Sequence, residues 1–231
     1  NIYRKTGEYD LALDYLLRTK KLKEASNDIS IGYTIFEISS IYRWQDDYGK
    51  ALLYLNEAHI LAKQHNQSKL IANCLYHESL ISINQKKYSK ASKKIEKAIN
   101  IATTKAFSSN EAKYLDCLGI IHRLTKEFHS ALEMSEKSLS ISRMLGDKHG
   151  MRKYMNSIAM VKEAMYDFTG ALELYSACLK IAKTIDEKRA IVISYNNIAR
   201  IHEHLDQMKL ADLNRKKAQS FLKKIKLHMV D

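Results

Sequence analysis

An aromatic residue or Met followed three positions later by Ala occurs six times in register: Tyr9/Ala12, Tyr48/Ala51, Tyr88/Ala91, Phe128/Ala131, Phe168/Ala171 and Met208/Ala211. The first interval is 39 residues and the other four are 40. A period of this size marks stacked supersecondary units, each unable to bury its apolar face alone. Other columns keep the same register. Seven residues after the Ala stand Ala58, Ala98, Ser138, Cys178 and Ala218, and four further on stand Ala62, Ala102, Ser142 and Ala182, a column broken by Leu222. Upstream run the small column Ser39, Ser79, Gly119, Ala159, Ala199 and the aliphatic column Ile41, Ile81, Ile121, Val161, Ile201.

Spacings of 7 and 4 return to one face of a helix. Each unit therefore reads as two helices. Helix A covers roughly 30–45, 70–85, 110–125, 150–165 and 190–205, and helix B follows a short turn such as "QDD" or "TKE". Small residues on both partners let two helices approach closely without voids. Composition agrees: the chain has no Pro and seven Gly, against average usage of about 5% and 7%, so breakers are few. The expected fold class is all-α, a solenoid of antiparallel helix pairs. It is read as one solenoid over 1–231, with repeats at 1–27 (partial), 28–67, 68–107, 108–147, 148–187 and 188–231. The opening "NIYRKTGEYD" reads as the end of one helix and the turn after it, so the chain is expected to be a fragment of a longer protein.

The segments "YNNIARIHEHLDQMKLADLNRKKA" (195–218) and "YLDCLGIIHRLTKEFHSALEMSEKS" (114–138) carry a small residue in helix A, an aromatic or Met opening helix B, and small residues three and ten positions later. This pattern resembles the tetratricopeptide repeat (TPR). The standard unit has about 34 residues, and the longer spacing here is similar to the long-repeat TPRs of kinesin light chain, Pins-type adaptors and bacterial regulators and sensors. The Pro that often closes helix B is absent throughout. The resemblance implies a right-handed superhelix with helix A lining a concave groove, no catalytic activity and no cofactor. It also implies a role in binding a protein or peptide segment, as the regulatory or sensory domain of a signalling or transcription regulator. A structural scaffold that self-associates through its end repeats is the alternative.

Transferred TPR geometry puts Tyr33, Asn73, Lys113 and Lys153 in the first groove column, and Phe36, Tyr76, Asp116, Asn156 and Asn196 in the second. Arg200 falls in the third, and Arg43, Arg123 and Glu163 in the fourth. Asn can bond a peptide backbone through both donor and acceptor, and Arg can hold a carboxylate bidentately. The carboxylate clamp of chaperone-binding TPRs is matched only in part, by Lys69, Asn73 and Asn110, because Gly146 and Gly150 stand where its third repeat needs basic residues.

The net charge is +12 and most of the excess is local, in 86–105 and 207–231. Lys90, Lys93, Lys94 and Lys97 are expected on the outer face of a helix B. They read as a solvated stripe or, alternatively, as a contact for nucleic acid or another anionic surface. No zinc-finger spacing, phosphate-binding Gly-rich loop, HExxH or nucleophile elbow is present. No metal site is expected. His202 and His204 lie two apart and point to different helix faces, and His122 and His202 are read as packing residues. The widely spaced Cys74, Cys117 and Cys178 lack metal or redox spacing. They read as small buried residues in a reducing, cytoplasmic compartment.

Overall fold

The computed structural model describes residues 8–227. The turn expected near residue 7 lies outside them. Eleven helices occupy the described residues: α1 (Glu8–Ala25), α2 (Ile31–Trp44), α3 (Tyr48–Gln64), α4 (Ser68–Asn84), α5 (Tyr88–Thr104), α6 (Ser108–Leu124), α7 (Phe128–Met144), α8 (Lys148–Ala164), α9 (Phe168–Thr184), α10 (Lys188–His204) and α11 (Met208–Leu227). The even-numbered helices are the A helices and the odd-numbered ones the B helices. From α3 to α10 every helix has 17 residues and every turn between them has three, which makes 40 for a pair with its two turns.

One turn geometry explains that constancy. After each of α1 to α10 one residue adopts positive φ, between 51° and 66°: Asn27, Asp46, Asn66, Lys86, Ala106, Lys126, Gly146, Tyr166, Asp186 and Asp206. The next N–H then reaches back to the carbonyl five residues earlier, as from Asp47 to Tyr42 (2.9 Å), Gln67 to Ala62 (2.8 Å) and Glu127 to His122 (2.8 Å). This is the Schellman closure, which satisfies carbonyls the helix end leaves open. Asp47, Asp147 and Asp167 also cap the following helix, accepting from the backbone N–H of Lys50, Gly150 and Gly170. The 39-residue interval arises where five turn residues precede a 14-residue α2.

The chain forms two compact units, Asn1–Tyr114 and Leu115–Asp231. In the first, Ile35, Ala51, Leu55, Ala58, Ala62, Leu70, Cys74 and Ile81 build the core. In the second, one cluster holds Ala159, Ala171, Tyr175, Ile198 and Ile201, and another Ala182, Ala190, Ile191, Tyr195 and Ala218. The small columns are the helix–helix contacts: Ala51, Ala91, Ala131, Ala171 and Ala211 are all fully buried. At Gly119 an added Cβ would lie 2.9 Å from Ser135 Oγ and 3.2 Å from the Ala131 carbonyl, so α6 and α7 come close there. Cys178 spends its thiol on the α8 backbone, donating to the Arg152 carbonyl at 3.3 Å. All three cysteines are buried free thiols, and burial pushes Cys74 and Cys178 up to about 12. No helix among the described residues is long and apolar enough to cross a membrane.

Candidate functional site

In the first unit the expected groove residues lie on α2, α4 and the first half of α6, and aromatic rings dominate them. Phe36 packs on His77 with ring centroids 4.5 Å apart, and Tyr76 on Tyr114 at 5.3 Å. Lys113 sits 4.7 Å from the Tyr76 ring centre and 4.9 Å from that of Tyr114, within cation–π range. Asn73 Oδ1 accepts from Lys113 Nζ (3.0 Å), Asn110 Nδ2 (3.2 Å) and Tyr114 Oη (2.8 Å). Two clamp candidates, Asn73 and Asn110, are thus bonded to each other. Tyr33 is exposed and Phe36 nearly covered. His77 is held down to about 3, first by burial and then by the charges of Arg43 and Lys113. Burial likewise pushes Tyr114 up to about 12.

The second unit carries ion pairs and amides on the same face. Asp116, 1% exposed, receives Lys153 at 3.2 Å. Asn197 donates to Asn156 Oδ1 at 3.1 Å. Arg200 grips Glu163 through Nε (2.6 Å) and Nη2 (2.8 Å), and Tyr175 Oη donates to the same carboxylate at 2.9 Å. Burial opposes ionisation of Glu163, but the hydrogen bonds from Arg200 and Tyr175, with the Arg200 charge, carry it below the usual carboxylate range. Burial and the Glu163 charge push Tyr175 the other way. Arg152 makes a second fork, 2.8 and 3.0 Å, to Glu187.

These bonds follow a rule. Asp116–Lys153 and Glu163–Arg200 join residues 37 apart, and Asn156–Asn197 joins residues 41 apart. Each is one helical step, minus three or plus one, from the 40-residue repeat, so each links one A helix to the next. Arg200, Asn156 and Lys153 are therefore held in place before any partner arrives. Arg123 and Asn196 make no side-chain hydrogen bond or ion pair among the described residues. Sequence columns named Asp116, Lys153, Asn156, Glu163 and Arg200 but missed the partners Asn197 and Tyr175 and the separate Arg152–Glu187 fork. Charge complementarity at a spacing of 37 was a signal for the Asp116–Lys153 and Glu163–Arg200 pairs alone.

On α5, Lys90, Lys93 and Lys97 are exposed, whereas Lys94 turns inward and pairs with Glu78, which also has His59 Nδ1 at 3.8 Å. His122 and His202 bond across the turn between their own helices, to Glu127 at 2.8 Å and Gln207 at 2.7 Å. Trp44 packs beside Tyr9 with ring centres 6.3 Å apart. No group of three His, Cys, Asp or Glu among the described residues could hold a metal ion.

The architecture is that of a helix-pair repeat protein. The family model described as "Tetratricopeptide repeat" matches residues 112–149, the α6–α7 pair, and the same pair recurs along the chain. The chain is built from tetratricopeptide repeats of the long, 40-residue type. No curated protein matches its sequence. Among solved structures, BtubC (BKLC) from P. vanneervenii is similar at 14% identity and TM-score 0.79, over 94% of this chain and 92% of that one. Aspartyl phosphate phosphatase F from Bacillus subtilis is similar at 13% identity and TM-score 0.73, over 88% of this chain and 55% of that one. A STAND signal-transduction ATPase from Pyrococcus horikoshii, with a tetratricopeptide repeat sensor, is similar at 17% identity and TM-score 0.72, over 98% of this chain and 36% of that one. At these identities the likeness is one of fold.

Proposed function

We propose that the chain is a non-enzymatic interaction module that binds a protein or peptide segment along the A-helix face of its second unit. It acts as the regulatory or sensory part of a larger signalling or transcription regulator, in a reducing, cytoplasmic setting where its three thiols stay unpaired. One observation carries the reading: the A helices of this unit are locked to one another by polar rungs, while Arg123 and Asn196 on the same face stay uncommitted. A locked face loses little conformational entropy on binding. Arg123 then offers guanidinium donors to carbonyl oxygens of a bound segment, and Asn196 a donor and an acceptor to peptide backbone. Around them Lys153, Asn156 and Arg200 set a fixed polar frame. In the first unit, Tyr33 is the accessible member of an aromatic face formed with Phe36, Tyr76, Asn73 and Lys113. The sensor repeat named in the Pyrococcus horikoshii protein supports the regulatory part.

The test is an affinity pull-down from nuclease-treated lysate at physiological salt. Wild type is compared with an Arg123→Ala/Asn196→Ala variant and with a Lys90→Glu/Lys93→Glu/Lys97→Glu variant. A protein retained by wild type and the lysine variant but lost from the groove variant supports the reading. Retention that depends only on the lysines, or only nuclease-sensitive material, moves function to α5.

A further inference from the structure

The fourth repeat departs from its siblings at one buried position. Leu55, Ile95 and Tyr175 fill this place on their B helices and are fully buried, whereas α7 carries Ser135 there. The facing residue on α6 is Gly119, so the exchange is not made good from across the contact. The result is a pocket of about 230 Å³ lined by α6, α7 and α8, among whose residues are Asp116, Gly119, Arg123, Ser135, Lys153 and Asn156. Asp116 and Ser135 are each 1% exposed. Asp116 Oδ1 and Ser135 Oγ are both buried with no hydrogen-bond partner. Buried polar atoms are almost always paired, so two orphans on residues that line one pocket call for an occupant that reaches them. A water takes a share of about 30 Å³ of liquid volume, and this pocket has room for a side chain.

We propose that this pocket is a specificity subsite that receives a carboxamide side chain, Gln or Asn, from the segment bound on the A-helix face. The inference rests on the interaction reading above, and the pocket shares Arg123, Lys153 and Asn156 with that face. Charge selects the class. Lys153 matches Asp116, at 3.2 Å, and Glu187 matches Arg152, at 2.8 Å; Arg123 has no anionic partner. A carboxylate entering the pocket would meet Asp116 in a buried setting. An ammonium or guanidinium would meet Lys153 and the uncompensated Arg123. A neutral occupant meets neither penalty. Asp116 Oδ1 only accepts, whereas the Ser135 hydroxyl and Arg123 can donate, so the occupant needs both a donor and an acceptor. A carboxamide has two N–H donors and one carbonyl oxygen. A hydroxyl has the right polarity but leaves most of the pocket unfilled.

The test pans a displayed random dodecapeptide library against the full chain as wild type, Ser135→Leu and Asp116→Asn. Ser135→Leu restores the Leu of the equivalent position in α3 and fills the pocket, and a melting temperature at or above wild type confirms that it folds. Wild type is expected to enrich Gln or Asn at one peptide position. Ser135→Leu should lower that enrichment roughly tenfold or more, because a site built to hydrogen-bond a group loses its discrimination with the bond. Asp116→Asn removes the anion beside Arg123 and Lys153 and should shift the preference to Glu or Asp. Selected peptides with no carboxamide preference, or a preference that survives Ser135→Leu, overturn the subsite and leave the interaction reading standing. Failure of all three proteins to select any peptide overturns both.

Discussion

The A-helix face of the first unit is closed by rings: Phe36 lies on His77, Tyr76 on Tyr114, and Lys113 over both tyrosines. In the second unit, one repeat further on, the same columns hold Asp116, Lys153, Asn156, Glu163 and Arg200, joined in directional pairs. Rings gain most of their stabilisation by covering one another, and they leave little for a partner beyond Tyr33. Ion pairs and amides fix only the atoms they use, and so Arg123, Asn196 and the Asp116–Ser135 pocket keep unspent bonding capacity. The repeat frame beneath is common to both. Function on such a frame follows from what each A helix does with its outward positions, not from the frame itself.

The largest expected effect separates the two faces by pH. His77 is neutral in its aromatic setting, with its pKa near 3, against about 6.5 when unfolded. Its folded value is depressed, so this stability is complete above pH 6.5 and is lost as pH falls toward 3. By pH 4 the loss amounts to about 3 kcal/mol. Urea unfolding from pH 7 to 4 should show a correspondingly shallower decline for His77→Gln. Parallel curves for the two proteins would show that His77 does not titrate on unfolding.

Where the units are alike, the same substitution should cost the same. Ala91→Leu and Ala171→Leu each force side-chain atoms into a filled helix contact and should destabilise by about 1–3 kcal/mol. Unchanged melts would count against the small columns as contact sites. Arg200→Ala leaves the Glu163 carboxylate with the Tyr175 hydroxyl but without its charge partner. The arginine side chain is 44% exposed, so the expected cost is only about 1 kcal/mol, smaller at high salt. A salt-independent cost would point to lost packing instead.

The smallest effect tests the turns. Ala106 and Gly146 end α5 and α7 with the same positive φ, 54° and 65°. Ala106→Gly should stabilise by about 0.5 kcal/mol, and Gly146→Ala should destabilise by about 1 kcal/mol, since Cβ strain in this region outweighs the chain-entropy benefit. Paired melts read both signs. Two changes of the same sign would contradict the common turn.

Helix pairs, pairing faces and the "QDD" and "TKE" turns were legible in the sequence, because small side chains at a fixed period leave one reading of which faces touch. The turn conformation was not. Asn and Asp at 27, 46, 66, 186 and 206 suit positive φ, but Lys86, Ala106, Lys126 and Tyr166 do not announce it, and tertiary register imposes it on them. At the candidate site the columns put these residues on the A helices but did not reveal their bonds. Those depend on the offset between successive A helices, which turns Arg200 toward Glu163 and Asn197 toward Asn156. Lys94 was expected to face outward with its neighbours, but it adjoins the buried Ile95 and reaches back to Glu78 on α4. Ser135 was visible as the odd member of a column of large residues, yet the pocket it opens depends on Gly119 facing it.

The most direct test of the account places a photo-crosslinking amino acid at Ile193, 53% exposed on the A-helix face of α10, or at Lys93 on the outer face of α5. Irradiation in native lysate should yield a protein adduct from position 193 and none from position 93. An adduct from position 93 alone would contradict the central claim that the second unit's A-helix face is where this chain holds its partner.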